Sequence, residues 1–209
     1  MSKHTIIWLH GLGASGDDFV SLPDALKLPP EMDMRFVFPN APMMPVTLNQ
    51  GYTMRAWFDV YGLSAESKID VAGILRSCDF INQLVDTEIA RGVPSHRILL
   101  GGFSQGAAMA LVAGLTFKKQ LGGVIALSGF LPMAREVFET ASAVNRSAPI
   151  FLAHGKADSV VVYTLGEMTY EALLKAGYSV SWHAYESMPH TVSDKEILDI
   201  SQWMKNLLG

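Results

Sequence analysis

The strongest constraint on the fold is an alternation of short apolar runs with longer helical patterns along the chain. The apolar runs predict six strands, at residues 5–9, 35–38, 97–102, 123–128, 149–154 and 179–185. Helical patterns predict helices over residues 68–91, 105–117, 134–144, 163–176 and 193–208. Several of the runs are continuously apolar, which is typical of parallel strands covered on both faces. We therefore predict an α/β fold with a mostly parallel central sheet and helices on both faces.

Composition limits the class of protein. No repeat, low-complexity tract or linker interrupts the chain, so residues 1–209 are expected to form a single domain. The charged fraction is 17%, the net charge is -4 and no basic run occurs, which argues against a nucleic-acid partner. The apolar runs are far shorter than the ~20 residues of a membrane span, and we expect no signal peptide because the first strand is predicted to begin at residue 5. We expect a cytoplasmic protein that is not an integral membrane protein, with the lone Cys78 buried in the core.

One motif stands where a strand should turn into a helix. The sequence GFSQG at residues 102–106 matches G-x-S-x-G, the nucleophile elbow, in which glycines leave room for a strained turn. A predicted strand precedes the motif and a predicted helix follows it, as the elbow requires. The alternative is a glycine turn with an incidental serine. The context favours Ser104 as a nucleophile.

An elbow serine needs a basic partner, and in this architecture the order along the chain is serine, carboxylate, histidine. Three histidines follow Ser104. His154 has no aspartate between itself and the serine, and His183 lies in the middle of a predicted strand. His190 lies after the last strand and before the terminal helix, at the carboxyl end of the sheet where functional loops gather. His190 is therefore the candidate base.

The carboxylate that should orient this base has few candidates. Asp158 is the one aspartate between Ser104 and His190, and it follows the strand predicted at 149–154. A turn or helix-cap aspartate is the alternative interpretation of Asp158. Glu186, close to His190 along the chain, is the second candidate. The order along the chain favours Asp158.

Stabilising the charge on a reacting carbonyl requires two backbone amides. One is expected from Gln105, directly after the serine, and the other from Leu12 in the glycine-rich loop WLHGLGASGDD at 8–18. His10 is interpreted as a brace for this loop, with an ordinary core histidine as the alternative. The loop lacks dinucleotide spacing and a Walker lysine, and the chain lacks metal-ligand spacing, so we expect neither a cofactor nor a metal.

Several blocks together resemble a known family. They are LHGLGASG, PNAPMMPVTLNQGYTMRAWFD, GGFSQGAAMAL, LSGFLP, HGKAD and MPH, and they lie in family order between residues 8 and 190. They are similar to the acyl-protein thioesterase and carboxylesterase family of α/β-hydrolases. The resemblance implies a serine hydrolase that cleaves acyl esters or thioesters through an acyl-enzyme, without a cofactor. It implies the following roles: Ser104 as nucleophile, Asp158 as carboxylate, His190 as base, and Leu12 and Gln105 as oxyanion donors.

An acyl substrate needs an apolar surface beside the nucleophile. We expect it from the segment 41–48 with Trp57, Phe58 and Leu63, and from the segment 128–132 opposite. The flexible methionines of segment 41–48 suit acyl chains of different length. The predicted substrate-binding residues are Met43, Met44, Trp57, Phe58, Leu63, Phe130 and Leu131. The alternative is that the methionines are ordinary core residues.

The natural substrate stays open at this point. The resemblance implies partners that are small or lipid-like acyl esters or acylated proteins, and relatives of this kind include both monomers and homodimers. A dienelactone-hydrolase-like enzyme would want cysteine at the elbow, where this chain has Ser104. A non-catalytic acyl-binding or interaction protein on a hydrolase scaffold is the other alternative. Such a protein would usually have lost a member of the triad.

Overall fold

The computed structural model describes residues 2–62 and 67–209. Its strands are β1 (His4–Leu9), β2 (Met34–Val37), β3 (Met43–Val46), β4 (Tyr52–Arg55), β5 (Ile98–Phe103), β6 (Gly123–Leu127), β7 (Ile150–Gly155) and β8 (Val180–Tyr185). Its helices are α1 (Leu22–Leu26), α2 (Val71–Ala90), α3 (Gln105–Thr116), α4 (Ala134–Thr140), α5 (Tyr163–Lys175) and α6 (Asp194–Leu208). Within these described residues a six-stranded sheet has the order β2-β1-β5-β6-β7-β8, and every neighbouring pair is parallel.

The parallel sheet confirms the predicted α/β class and all six predicted strands to within a few residues. The helix predicted over 134–144 ends at Thr140, because Ala141 leaves the helical region with ψ of 139°. Among the strands and α-helices of the described residues, the antiparallel hairpin β3–β4 and the short helix α1 were not predicted. Strand β3 carries Pro45 and shows no polar-apolar alternation, strand β4 is only four residues long, and α1 spans five residues, too few to show a period.

The two faces of the sheet carry separate cores. Ile6 and Trp8 of β1 pack with residues of α1 and α6, such as Leu26 and Met204. Their neighbours Ile7 and Leu9 belong to the opposite core, which includes residues of α2, α3 and α5. Because successive side chains of a strand point to opposite faces and both faces are buried here, residues 6–9 are apolar without alternation. Helices therefore cover both faces, as predicted.

Helix α3 lies at the centre of the larger core. Every residue from Gln105 to Leu115 is buried, so the helix has no solvent-facing stripe. Cys78 of α2 is also buried, as expected from the sequence. Among the described residues, no helix combines the length and apolar character that crossing a membrane requires. The burial of α3 holds its first residue, directly after Ser104, in a rigid position.

A buried carboxyl near the start of α6 predicts a pH-dependent stability. Glu196 is fully buried, and neither of its carboxyl oxygens has a hydrogen-bond partner among the described residues. Burial raises the pKa of Glu196 to about 8, and the nearby carboxylate of Asp199 adds to the rise. The unfolded chain releases this proton near the ordinary value of 4.5, so the free energy of unfolding should fall as pH rises from about 4.5 to 8.

Glu196→Gln removes this titration. The difference in unfolding free energy between variant and parent should grow in the variant's favour, by about 2 to 4 kcal/mol, from pH 5 to pH 8.5. Urea unfolding of both proteins at the two pH values measures the difference. An equal stability difference at both pH values would show that Glu196 does not titrate between them.

Candidate active site

Ser104 lies in a strained turn between β5 and α3. Its φ of 56° and ψ of -119° place a non-glycine residue where side chains are rarely found. The turn is held on both sides, since Ser104 N donates to Leu127 O at 2.8 Å and Ser104 O accepts from Ala108 N at 3.2 Å. The half-buried side chain is thereby presented at the carboxyl end of the sheet, as the motif predicted.

The flanking glycines are required by close backbone packing. A Cβ on Gly102 would overlap the backbone of Gly106, and a Cβ on Gly106 would overlap the carbonyl of Leu9 in β1. Because the obstacles are backbone atoms, no side-chain rearrangement could relieve the overlap. The two glycines let α3 start directly against the central strands.

Three of the sequence-predicted residues form one hydrogen-bonded chain. His190 Nε2 lies 2.9 Å from Ser104 Oγ, and His190 Nδ1 lies 2.7 Å from Asp158 Oδ2. A carboxylate oxygen only accepts, so Nδ1 carries the proton and donates to Asp158. In the neutral ring Nε2 is then free to accept from the Ser104 hydroxyl. The side chain of Asp158 is fully buried, whereas that of His190 is 16% exposed.

The carboxylate of Asp158 is oriented by the turn that carries it. Oδ1 accepts from the backbone amides of Val160 and Val161, each at 2.9 Å, which leaves Oδ2 for His190. The second candidate, Glu186, is 80% exposed at its side chain and pairs with Lys156 at 2.5 Å. The structure thus brings Asp158, and not Glu186, to the histidine.

His10 braces the glycine-rich loop, as interpreted from the sequence. Its Nδ1 donates to Gly11 O at 2.7 Å, and its Nε2 accepts from Ala41 N at 3.0 Å. Burial lowers the pKa of His10, which fits this neutral, fully used ring. The loop is also tied to the hairpin, because Gly13 N donates to Arg55 O at 2.8 Å. Leu12 is held between these anchors.

The side chain of Gln105 joins the elbow to the segment that follows the hairpin. Its Oε1 accepts from Trp57 N, and its Nε2 donates to Phe58 O, each at 2.8 Å. The Trp57 indole donates in turn to His10 O at 2.9 Å. The sequence predicted Gln105 for its backbone amide alone. Gln105 and residues 57–59 were both visible in the sequence, but no pattern in it predicted the hydrogen bonds between them.

A cavity of about 420 Å³ opens above the serine. Leu12, Ser104, Gln105 and His190 line it together, so the predicted site residues converge on one space. Its apolar wall includes Phe19, Phe58, Ile69, Phe103, Ala108, Phe130, Val161 and Leu165. The volume lies within the range of about 300 to 1,000 Å³ that is usual for small-ligand pockets. An apolar group attached to a reacting carbonyl has room beside Ser104.

The predicted substrate-binding set requires a correction. Phe58 and Phe130 line the cavity, but the following residues do not: Met43, Met44, Trp57 and Leu131. Met43 is 58% exposed on the hairpin and Met44 pairs with Met54 across it, whereas Trp57 and Leu131 are buried in the core. Both methionines belong to the hairpin, which the sequence pattern did not predict, and neither lines the cavity beside the serine. Leu63 lies outside the described residues.

The described residues hold no cluster of three or more histidine, cysteine, aspartate or glutamate side chains arranged for a metal ion. The polar groups at Ser104 are the imidazole of His190, the carboxylate of Asp158 behind it and the backbone of the elbow. This set can activate a hydroxyl as a nucleophile, because a base contacts the hydroxyl and a carboxylate orients the base.

Known proteins are similar to this chain in both sequence and fold. Acyl-protein thioesterase 1 of Candida albicans is 36% identical over 215 residues, which cover 99% of this chain and 93% of the relative. A probable carboxylesterase of Oryza sativa subsp. japonica is 37% identical over 209 residues, covering 99% of this chain and 79% of the relative.

Solved structures give the same result. Arabidopsis thaliana SOBER1 superimposes with a TM-score of 0.94 at 33% identity, covering 99% of each chain. Zea mays acyl-protein thioesterase 2 gives a TM-score of 0.89 at 34% identity, covering 100% of this chain and 95% of the other. The phospholipase/carboxylesterase family matches residues 1–208. The chain therefore belongs to the phospholipase/carboxylesterase family of α/β-hydrolases and is a serine hydrolase.

Proposed function

We propose that this enzyme hydrolyses carboxylic esters and acyl thioesters through an acyl-enzyme formed on Ser104. The single observation that carries the proposal is the hydrogen-bonded chain from Ser104 through His190 to Asp158, which opens onto an apolar cavity. The relatives named carboxylesterase and acyl-protein thioesterase support both substrate classes. Retention of all three groups within hydrogen-bond reach argues against a non-catalytic acyl-binding protein.

The reaction has two halves with the same proton carrier. Ser104 Oγ attacks the acyl carbon while its proton passes to His190 Nε2, and Asp158 stabilises the imidazolium through Nδ1. The bond to the alcohol or thiol then breaks, and His190 returns the proton to the leaving oxygen or sulfur. A water molecule next attacks the acyl-enzyme, again with proton transfer to His190. Release of the carboxylic acid restores the serine hydroxyl.

The charge that develops on the acyl oxygen is assigned to two backbone amides. Gln105 is the first residue of α3, where an amide has no acceptor within the helix and the helix dipole favours negative charge. Leu12 supplies the second amide from the braced loop that borders the same cavity. Removing one such donor costs other enzymes of this chemistry about 100- to 1,000-fold in kcat.

The acyl chain is assigned to the apolar wall of the cavity. Each methylene that leaves water contributes about 0.8 kcal/mol, or roughly fourfold in kcat/KM, before binding costs are subtracted. Activity should therefore rise with chain length through short and medium acyl groups and level off where the wall ends. A panel of p-nitrophenyl esters and acyl thioesters of increasing length tests the proposed function directly.

A charge in the cavity wall should separate long from short substrates. Phe130→Glu is expected to lower kcat/KM on medium-chain esters at least tenfold while leaving acetate esters within about threefold, because an acetyl group does not reach the wall. The matched control is Met43→Glu, the same kind of change on the exposed hairpin, which should alter neither substrate. Kinetics on the two esters measure the effect.

Equal losses on both esters in the Phe130→Glu variant would show that this wall does not hold the acyl chain. A loss of kcat/KM on medium-chain esters alone in Met43→Glu would show that Met43 contacts the acyl chain. Thermal unfolding of both variants separates either result from a general loss of folded protein.

A further inference from the structure

A second histidine lies behind the carboxylate of the site. His154, in β7, is fully buried, and its Nε2 is 2.8 Å from Val161 O and 3.4 Å from Asp158 Oδ2. Chain order excludes His154 as the base, and its imidazole contacts neither Ser104 nor the cavity among the described residues. Its hydrogen bond goes to the turn that carries Asp158, and its ring lies beside Tyr163 and Gly166 of the helix that follows.

The proton of His154 can be located from its partners. A carbonyl only accepts, so Nε2 carries the proton and donates it to Val161 O. Nδ1 has no hydrogen-bond partner among the described residues, so a second proton there would be buried without an acceptor. Burial also lowers the pKa of His154, and both observations favour the neutral ring. The groups that face it are the carboxylate of Asp158, the imidazole of His190 and the ring of Tyr163, which is nearly perpendicular with its centroid 6.0 Å away. His154 therefore donates a hydrogen bond without adding a charge that would compete for the carboxylate.

The hydrogen bond to Val161 closes a small network. Val161 O is fixed by His154, while the amides of Val160 and Val161 fix Asp158 Oδ1. The turn is thus held to β7 through the carbonyl of Val161 and to the Asp158 carboxylate through its two amides. Without the anchor, the two amides would lose their fixed direction, and Asp158 Oδ2 would lose its alignment with His190.

We propose that His154 is a positioning residue that holds the turn 158–161 and thereby aims Asp158 at His190. The proposal rests on the function proposed above. It assigns His154 no contact with the substrate and no proton transfer. Its effect reaches the reaction only through the carboxylate.

The neighbouring helix keeps the space that this ring needs. Gly166 lies in α5, and a Cβ at that position would overlap the His154 ring. Alanine is otherwise preferred over glycine inside a helix by about 1 kcal/mol. A methyl group at Gly166 would therefore displace the ring without altering its chemistry, which provides a second and independent perturbation.

The test compares two substitutions at His154 that differ in one donor. His154→Met removes the donor, and kcat should fall about 10- to 100-fold with KM within about twofold, because a small misplacement of a catalytic group has that cost. The acid limb of the kcat/KM profile should move to lower pH by about half a unit to one unit, since a misaligned carboxylate holds the imidazolium less well. His154→Gln keeps an amide donor and should recover most of both losses.

A spectroscopic readout and two further variants sharpen the comparison. The low-field proton resonance of the His190–Asp158 hydrogen bond should weaken or shift in His154→Met and persist in His154→Gln. Gly166→Ala should lower kcat in the same direction as His154→Met. The matched control is His183→Met on the neighbouring strand β8, where the imidazole stacks on Phe151 at 4.3 Å; its profile should stay that of the parent.

The inference is overturned if folded His154→Met keeps the parent kcat, acid limb and low-field resonance. It is equally overturned if His154→Gln loses as much as His154→Met, since the donor then has no role. Should His154→Met fail to fold, Gly166→Ala decides with the same readouts. Failure of the proposed function itself would be seen in the parent, as an absence of ester and thioester turnover.

Discussion

Replacing Ser104 with alanine should lower kcat by about three to six orders of magnitude while the protein stays folded, because members of a serine triad act as a unit. In the hydrogen-bonded chain Asp158–His190–Ser104, the serine hydroxyl is the group that a base activates for attack on an acyl carbon. Its removal leaves the cavity wall intact, so binding of a medium-chain product acid should be retained. Initial rates on p-nitrophenyl esters, with thermal unfolding alongside, measure the two parts of this expectation.

Ser128 provides a matched control for that variant. It also lies just after a central strand, also has a positive φ, of 49°, and is fully buried. Its hydroxyl has no hydrogen-bond partner among the described residues, so Ser128→Ala should change activity less than about twofold. A large loss of activity in Ser128→Ala, with Ser104→Ala still active, would show that Ser104 is not the nucleophile.

Asp158→Asn should lower kcat by about 10⁴-fold, the size of the effect in serine proteases with the same arrangement. The backbone amides of Val160 and Val161 compete for the amide oxygen, so the amide nitrogen is turned towards His190. The imidazole would then present Nδ1 as an acceptor and carry its proton on Nε2, facing Ser104. In this tautomer the ring cannot accept the serine proton. The measurement is kcat on an activated ester, with circular dichroism to verify the fold.

Glu186→Gln is the control for the carboxylate. Glu186 is exposed and paired with Lys156, so its neutralisation should leave kcat within about twofold. Near-full activity in Asp158→Asn together with a large loss of activity in Glu186→Gln would show that Glu186, and not Asp158, orients His190. Both variants change one carboxylate into an amide, which makes the comparison direct.

The elbow and its partners were predictable because each leaves a local mark in the sequence. Ser104 lies between glycines at a strand-to-helix boundary, and Asp158 and His190 follow later strands in the expected order. Parallel strands bring their carboxyl ends to one edge of the sheet, so order along the chain carries over into proximity. The structure brings the three side chains within hydrogen-bond distance.

The cavity wall was less predictable, because it is assembled from distant parts of the chain. Phe19, Phe103 and Leu165 reach it from three separate elements and show no shared pattern in the sequence. Met43 and Met44 were expected at the wall because they lie in an apolar segment. They belong instead to a hairpin that pairs residues 43–46 with 52–55, and short strands of this kind leave a weak pattern in the sequence.

The support for the site was the least visible part. Gln105 holds Trp57 and Phe58 through its side chain, across 47 or more residues of sequence. His154 could be excluded as a base from chain order, but its bond to Val161 O depends on how the turn folds back on β7. Long-range hydrogen bonds to backbone atoms have no sequence signature, since any residue supplies the backbone partner.

The central claim is that Ser104 forms the covalent intermediate, and labelling with a fluorophosphonate tests it most directly. Trypsin should release residues 98–118 as one peptide, in which Ser104 is the single serine, whereas Ser128 lies on the separate peptide 120–135. Mass spectrometry of the inactivated enzyme should find the adduct on the 98–118 peptide, in proportion to lost activity, and not in Ser104→Ala. An adduct on any other serine, with residues 98–118 unmodified, would contradict the account.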